Sequence, residues 1–377
     1  MKVALVHDYL VQYGGAERVL EVLCKMFPDA PIYTLINDPK AVHHRFDSRR
    51  IHTSTLQKTP LARTRHRLFP SIMASAIEEF DLSLFDIVIS DSSSFAKGVI
   101  TRPETLHICY AHTPMRYAWD DCQRYAKDFG FPSAVRSLVP LFMNPLRLWD
   151  RTSAMRVDHF IANSQFVKKR IEKYYRRTAQ VIHPPVDTSR FHPTKKQEAY
   201  FLMVGRLIPY KRFDLAIRVC NRLGIPLKII GRGSEMKRLK KIAGPTITFL
   251  GRVPDKELPD YYAKCQAFIF PQEEDFGIVA TEAMASGRPV IAFAGGDIPE
   301  RVIHGETGIL FQEQSVISLE KAIKEYQRTS FDSEKIYARA QKYQKERFVE
   351  EMQRAIERQW QKHQENQKNS DIVCSEQ

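Results

Sequence analysis

The sequence predicts an α/β protein built from two parallel-sheet domains, and three observations carry that expectation. Short apolar runs of strand length alternate with segments of helical periodicity. The alternation stops at a proline-rich polar stretch near residue 183 and then begins again. The length, 377 residues, is enough for two cores of ordinary size.

Taken in order, "KVALVHDYL" has the length and composition of a buried strand. "GGAERVLEVLCKMF" follows it with Val19, Leu20, Leu23 and Phe27 on one helical face. "FDIVISD" and "LHICYAHT" read as short buried strands, and "DHFIANSQFVKKRIEKYY" as a strand running into a helix. Strands that alternate with helices imply a parallel sheet covered on both faces. "HPPVDTSRFHPTKKQE" lacks periodicity and reads as a linker. Beyond it, "AYFLMVGRL" is a strand, "RFDLAIRVCNRLG" a helix closed by Gly224, and "PLKIIGRG" a strand with a glycine turn. "TITFLGRV", "AFIFP" and "PVIAF" supply further strands, and from about residue 315 the chain reads as helical. The expected organisation is 1–185 and 186–350 as the two domains, 351–365 as a helix packing back on the first, and 366–377 as a frayed tail.

The six cysteines are scattered, with no C-x-x-C spacing and no Cys/His cluster, so free buried thiols are expected rather than a zinc site or a disulfide framework. No run of eighteen apolar residues occurs, and "MKVALVHDYL" turns polar too soon for a signal peptide, which leads to an expected cytoplasmic location. The net charge of +13 points to an anionic partner. Arg45, Arg49, Arg50, Lys58, Arg63, Arg65 and Arg67 share a segment whose one acid is Asp47, with Leu61, Leu68, Phe69 and Ile72 interleaved. That segment reads equally as a solvated loop and helix face or as a patch for an anionic membrane surface on the inner face of the cell membrane.

The chemistry concentrates in "QEEDFGIVATEAMASGRPVIAF". Asp275 is the expected N-cap of a helix that starts after Gly277 and stops at Gly287 and Pro289. Glu274 then precedes the helix and Glu282 lies within it. Eight helical residues span about 12 Å, so the two carboxylates are too far apart for a close catalytic pair or a shared metal. They suit the two ends of one elongated ligand. Between them the N–H groups of Gly277, Ile278 and Val279 form a helix N-terminus that favours anions. A ligand with hydroxyls at each end and negative charge in its middle fits, and a nucleotide sugar is such a molecule. The plainer reading is that Glu273, Glu274 and Asp275 favour the helix dipole; against it, Ala280, Ala283, Met284 and Ala285 hem in Glu282. In "MVGRLIPYKRFD", Arg206 and Lys211 would stand at the carboxyl edge of the sheet as partners for a diphosphate, or as ordinary surface charge. Gly14 and Gly15, after the first strand, permit close approach of a bound group.

"VGRLIPYK", "GRGSEMKRL", "FLGRV", "PQEEDFGIVATEAMASGRPVIAF" and "GGDIPERVIHGETGILF" resemble the successive motifs of the retaining glycosyltransferases of family 4, the group 1 type with the GT-B fold. The resemblance covers nearly the whole chain and is strongest from 199 to 312; "CYAHTPMRYAWD" is similar to a stretch in the family's mannosyltransferase-like branch. The resemblance implies two Rossmann-like domains facing each other across a cleft, with C-terminal helices returning to the N-terminal domain. It implies that Glu282 bonds ribose hydroxyls and Glu274 the transferred sugar. Arg206, Lys211 and the amides of Gly277, Ile278 and Val279, with Phe276 beside them, would hold the diphosphate. The backbone at Arg252 and Val253 would face the base, and His112 would contact the sugar. The implied reaction is front-face transfer of a hexose without a protein nucleophile, a metal or another cofactor, and the absence of a D-x-D triplet accords with that.

The implied donor leans towards GDP-mannose, with Asp255 a candidate acceptor for guanine N–H groups. The expected acceptor is a glycan or lipid-linked oligosaccharide in cell-surface polysaccharide synthesis. An epimerase or phosphorylase on the same fold is the second enzyme reading. A basic nucleic-acid-binding protein is the third, and it lacks any stacking or groove-reading module, so no nucleic-acid partner is expected.

Overall fold

The run Val3–His7 forms β1 and is buried along its whole length, as a strand covered on both faces of a parallel sheet must be. The computed structural model describes residues 1–60, 70–120 and 133–375. The chain divides into two units, Met1–Pro185 with Phe348–Gln377, and Val186–Arg347.

Among the described residues, the first unit holds a seven-stranded sheet in the order β3-β2-β1-β4-β5-β6-β7. Its other strands are β2 (Ile32–Thr34), β3 (Ile51–Thr53), β4 (Ile87–Ser92), β5 (Leu106–Ala111), β6 (His159–Ala162) and β7 (Ala179–Val181). Every pairing is parallel. The order reverses between β1 and β4, and such a switch point opens a crevice at the carboxyl ends of the strands. The register there sets His7 opposite Asp91 and Asp91 opposite Tyr110. The Gly15–Met26 helix buries Val19, Leu20, Val22 and Leu23, and with them a carboxylate, Glu17. Helix Lys345–Ser375 turns Phe348, Met352, Ala355 and Ile356 into the same core as Leu5, Leu20 and Ile89, a spacing that makes one helical stripe. It continues to Ser375, through the stretch expected to be a tail. The polar run "HQENQK" contains no glycine or proline to stop it.

The second unit repeats the plan with six strands among the described residues, in the order β10-β9-β8-β11-β12-β13. They are β8 (Phe201–Val204), β9 (Leu227–Ile230), β10 (Ile247–Gly251), β11 (Phe268–Phe270), β12 (Val290–Phe293) and β13 (Gly308–Phe311), all paired in parallel. The switch point lies between β8 and β11. Helix Phe213–Leu223 seals one face with Phe213, Leu215, Ala216, Ile217, Val219 and Cys220 and ends at Gly224, whose φ of 65° is the left-handed turn expected of a C-terminal glycine. Helix Ile278–Ala285 buries Ala280, Ala283, Met284 and Ala285 on the other face.

Cys109, Cys220 and Cys265 are buried free thiols and Cys24 is half-buried; burial pushes each up to about 12. Cys122 and the side chain of Cys374 lie outside the described residues, as do Arg63, Arg65, Arg67, Leu61, Leu68, Phe69 and the side chain of Arg49. Of the remaining basic segment, Arg45 lies 4.5 Å over the Tyr13 ring and 3.4 Å from Glu21, and Arg50 donates to the carbonyls of Phe27 and Ala30. Both arginines thus serve the fold. Among the described residues, no helix is long and apolar enough to cross a membrane.

Candidate active site

In the second unit, the loop leaving β8 is held backbone to backbone against the loop leaving β9. Gly205 donates to Ile230 (2.9 Å), Leu207 to Arg232 (2.9 Å) and Glu235 to Leu207 (2.9 Å). A short 3-10 turn, Pro209–Lys211, follows. Arg206 is exposed at this strand end, whereas Lys211 is only 9% exposed. The surface position expected for Lys211 is therefore corrected: the turn drives its stem past Tyr210, and its ammonium meets the Glu274 carboxylate in an ion pair. An ammonium taken out of water needs such a partner.

Glu274 belongs to the loop that leaves β11, at the other side of the switch point. Gln272, itself buried, has its amide nitrogen 3.4 Å from the same carboxylate. The loop leaving β12 supports this segment. Gly296 has φ 65°, and a Cβ there would stand 2.1 Å from the Glu274 carbonyl oxygen, so only glycine fits; Asp297 then donates its backbone N–H to that carbonyl (3.1 Å).

The helix behind the loop begins at Ile278 with Gly277 as its N-cap, which corrects the expected Asp275 cap. A Cβ on Gly277 would lie 2.4 Å from the Phe270 ring, so the chain enters the helix closer to β11 than a capping side chain would allow. The first-turn N–H groups, those of Ile278 and Val279 included, have no carbonyl partner within the helix. Beneath them Arg301 is fully buried: it donates to the Gly277 carbonyl at 3.0 Å and to Thr281, contacts Asp297 at 2.6 Å, and lies 4.4 Å over the Phe276 ring. Burial pushes the Asp297 carboxyl above its ordinary range, although Arg301 and the Gly277 backbone oppose this. Glu282 is 3% exposed, and Tyr262 donates to its Oε2 at 2.9 Å. Arg252 is exposed and Val253 half-buried against the core, while Arg190 donates to the carbonyl of Asp255 and ties that loop down (2.5 Å).

The first unit gathers a second set of residues at its own switch point. His112 follows β5, and its Nε2 lies 2.5 Å from Asp91 Oδ1. The other Asp91 oxygen is 2.9 Å from Nδ1 of His7, and Nε2 of His7 is 3.9 Å from Oε1 of Glu17. Glu17 also accepts the N–H of Gly14 at 2.7 Å, so Gly14 caps the helix that Gly15 begins. Burial alone would lower the His7 pKa, but Asp91 and Glu17 outweigh it and raise it to about 10. Burial alone would raise Asp91, and the two histidines hold it below its ordinary value instead. Among the described residues no set of three or more such side chains is arranged to hold a metal ion. Asn163 donates to the His112 carbonyl (2.9 Å) and Arg170 to the Thr113 hydroxyl (2.5 Å), which fixes the loop.

Sequence reasoning missed His7, Asp91, Glu17, Tyr262, Asp297 and Arg301. The first two had a signal: a titratable residue closing an apolar strand run, as in "VALVHD" and "DIVISD", lies at the ligand-binding edge of a parallel sheet.

Two Rossmann-like units, each with polar side chains converging at its switch point, are the architecture of the GT-B glycosyltransferases. The family model described as "Glycosyl transferases group 1" matches residues 186–347, and that described as "Glycosyltransferase Family 4" matches residues 13–190. The chain belongs to the group 1, family 4 glycosyltransferases. A GDP-mannose-dependent alpha-mannosyltransferase of Mycobacterium tuberculosis is 31% identical over 205 residues, 50% of this chain and 51% of that protein. A GDP-mannose-dependent alpha-(1-6)-phosphatidylinositol monomannoside mannosyltransferase of the same organism is 31% identical over 176 residues, 39% of this chain and 46% of that protein. The chain spans about half the length of these curated relatives. Among solved structures, Anabaena HepE in complex with UDP superposes with a TM-score of 0.69 at 18% identity, covering 95% of this chain and 100% of that one.

Proposed function

We propose that the protein is a retaining glycosyltransferase that moves a hexose, mannose before others, from a nucleotide diphosphate sugar to a glycan or lipid-linked oligosaccharide in cell-surface polysaccharide synthesis. The observation that carries this reading is the contact between Lys211 and Glu274 across the β8–β11 switch point. In the donor, the diphosphate is bonded directly to the anomeric carbon of the sugar. A cation for the phosphate and a carboxylate for the sugar hydroxyls must therefore be neighbours, and here they touch.

The proposed donor lies with its diphosphate over the Gly277, Ile278 and Val279 amides, near Arg206, Lys211 and Phe276. Glu282, oriented by Tyr262, takes the ribose hydroxyls, and the loop at Arg252 and Val253 takes the base. Breaking the anomeric C–O bond places negative charge on the leaving diphosphate and positive charge on the ring. Fixed cations at the phosphate lower that barrier. The acceptor hydroxyl attacks from the face the diphosphate leaves, and a phosphate oxygen takes its proton, so no protein nucleophile, metal or other cofactor has a step. His112 meets the sugar, with Gly14 and Gly15 against the bound donor or acceptor. GDP-mannose is the preferred donor because the relatives above are named GDP-mannose-dependent, and the acceptor is met on the cytoplasmic side, at an anionic membrane surface.

Release of free GDP from GDP-mannose only when a lipid-linked glycan acceptor is added tests the transfer. Release without acceptor, or none with any acceptor or donor, counts against it. A thermal-shift panel of GDP, UDP, ADP and dTDP tests the base, and a larger shift with UDP removes the guanine assignment. Sedimentation with anionic liposomes at low salt tests the membrane contact; chain left in the supernatant counts against it.

A further inference from the structure

We propose that Asp91 and His7 are positioning residues that fix the tautomer of His112 and tie it to the Gly14–Gly15 turn. The inference deepens the reading in which His112 meets the sugar, and it rests on that reading for its effect on turnover.

The geometry is a chain of four side chains. Asp91, with no solvent exposure, spends each of its oxygens on a different imidazole: Oδ1 on His112 Nε2 at 2.5 Å and Oδ2 on His7 Nδ1 at 2.9 Å. The second His7 nitrogen faces Glu17 at 3.9 Å, both side chains being 3% exposed. Glu17 closes the chain on the Gly14 N–H. An ionised carboxylate is an acceptor only, so the His112 nitrogen that faces it must carry the proton. His112 Nδ1 is then the ring atom left to accept from a sugar hydroxyl. His7 lies between two carboxylates with both nitrogens turned to oxygen, which is the arrangement of an imidazolium. The raised pKa of His7 and the lowered one of Asp91 accord with that charge distribution.

A cluster of this kind is a poor way to gain stability, because desolvating its charges offsets most of what their attraction returns. Apolar side chains at the same strand ends would pack without that cost. What the cluster supplies is orientation. One Asp91 oxygen is committed to His7 Nδ1 at 2.9 Å, so the carboxylate is held from two sides and its other oxygen stays on His112. The carbonyl of His112 is held from the far side by Asn163, so ring and backbone are both fixed. The Gly14 N–H is bonded to Glu17, whose other oxygen faces His7 as a charge partner at 3.9 Å, so the turn is coupled to the imidazole through that ionic contact.

The test is the ring-nitrogen spectrum of the 15N-labelled full chain, in which long-range proton–nitrogen correlations separate the two tautomers. The His112 signals are identified by their loss in His112→Phe. The expected wild-type result is a proton on Nε2 and a bare Nδ1. In Asp91→Asn, with the amide oxygen on His7 Nδ1, the amide nitrogen, a donor, faces His112 Nε2. The ring should then switch to the Nδ1–H form, as an Asp-to-Asn change does in the serine protease triad. Turnover should fall on the order of 100-fold, with a smaller change in the KM for the nucleotide sugar, since the groups proposed for its diphosphate, ribose and base lie in the other unit. His7→Gln keeps a neutral donor towards Asp91 and should preserve the tautomer, with a smaller loss of turnover than Asp91→Asn.

A wild-type His112 protonated on Nδ1 overturns the proposal, and so does an Asp91→Asn variant with unchanged tautomer and turnover. If Asp91→Asn does not fold, the wild-type spectrum and His7→Gln decide. The tautomer is read without substrate, so absence of transfer from every nucleotide sugar would refute the enzymatic reading while leaving the ring assignment to stand or fall by itself.

Discussion

Replacing Lys211 by alanine removes one member of an ion pair that is nearly out of water. The side chains of Lys211 and Glu274 are 11% and 14% exposed. Breaking a fully buried pair costs about 3–5 kcal/mol because the remaining charge is stranded. Here each head keeps some access to solvent, and the Gln272 amide, 3.4 Å away, is a weak substitute, so a loss of about 2 kcal/mol is expected. At ~2–4 °C per kcal/mol for a domain of this size, that is a fall of about 4–8 °C in Tm. As an ordinary surface cation, the plainer alternative read from the sequence, Lys211 would contribute almost nothing to stability, so one melting experiment separates that alternative from the buried pair. Lys211→Ala, Glu274→Ala and the double variant form a cycle, and the double variant should lose less than the sum of the singles by at least ~1 kcal/mol. Turnover by Lys211→Ala should drop by about 100-fold or more, as when one fixed donor to a developing anion is removed. A Tm within a degree of wild type, or strictly additive losses, would falsify the buried-pair account.

The histidines of the first unit set opposite limits on stability. His7, raised to about 10 in the fold, contributes fully below its unfolded value near 6.5, and that contribution is lost as pH rises towards 10. His107 is fully buried with Nε2 2.8 Å from the Ser90 hydroxyl, and burial pushes it down to about 3. It favours the fold above 6.5 and loses that contribution as pH falls towards 3. Denaturant midpoints across pH 4 to 10 should peak near 6.5, and His7→Gln should flatten the alkaline side; an alkaline limb unchanged in that variant contradicts the assignment. Gly296→Ala puts a Cβ 2.1 Å from the Glu274 carbonyl at φ 65°. It should cost about 1–3 kcal/mol and weaken nucleotide-sugar binding by shifting the 273–275 loop. Gly305→Ala, at φ 82° with nothing within 4 Å, should cost about 1 kcal/mol and leave binding intact. Equal binding losses in the two variants would remove the supporting role of Gly296.

The fold was legible where an element carries its own signal. β1, β4, β5, β8, β9, β11 and β12 are apolar runs bounded by turn residues, and Gly224 marks a helix end by its conformation as well as its identity. β2, β3 and β7 have three residues each, too few for a period to register, and their pairing comes from neighbours that local reading does not see. The grouping of donor-site loops was legible because Arg206, Lys211 and Glu274 follow strand ends and Glu282 lies in the helix after one of them. The pairing of Lys211 with Glu274 was not, because it depends on how far a 3-10 turn carries a side chain across the switch point. Glu282 was readable as hemmed in from its alanine neighbours, whereas its partner Tyr262 comes from a different helix. Asp91, His7 and His112 come together through strand register, His7 opposite Asp91, which no spacing within one segment encodes.

The central claim is that a nucleotide sugar lies on the loops leaving β8 and β11 of the second unit. Hydrogen–deuterium exchange of the full chain with and without GDP-mannose tests it most directly. The account predicts slowed exchange in 205–211 and 272–282, with a smaller effect at 251–255 and abolition of all three by Glu282→Ala. Protection confined to other segments, or unchanged exchange at a GDP-mannose concentration that shifts Tm, would contradict it.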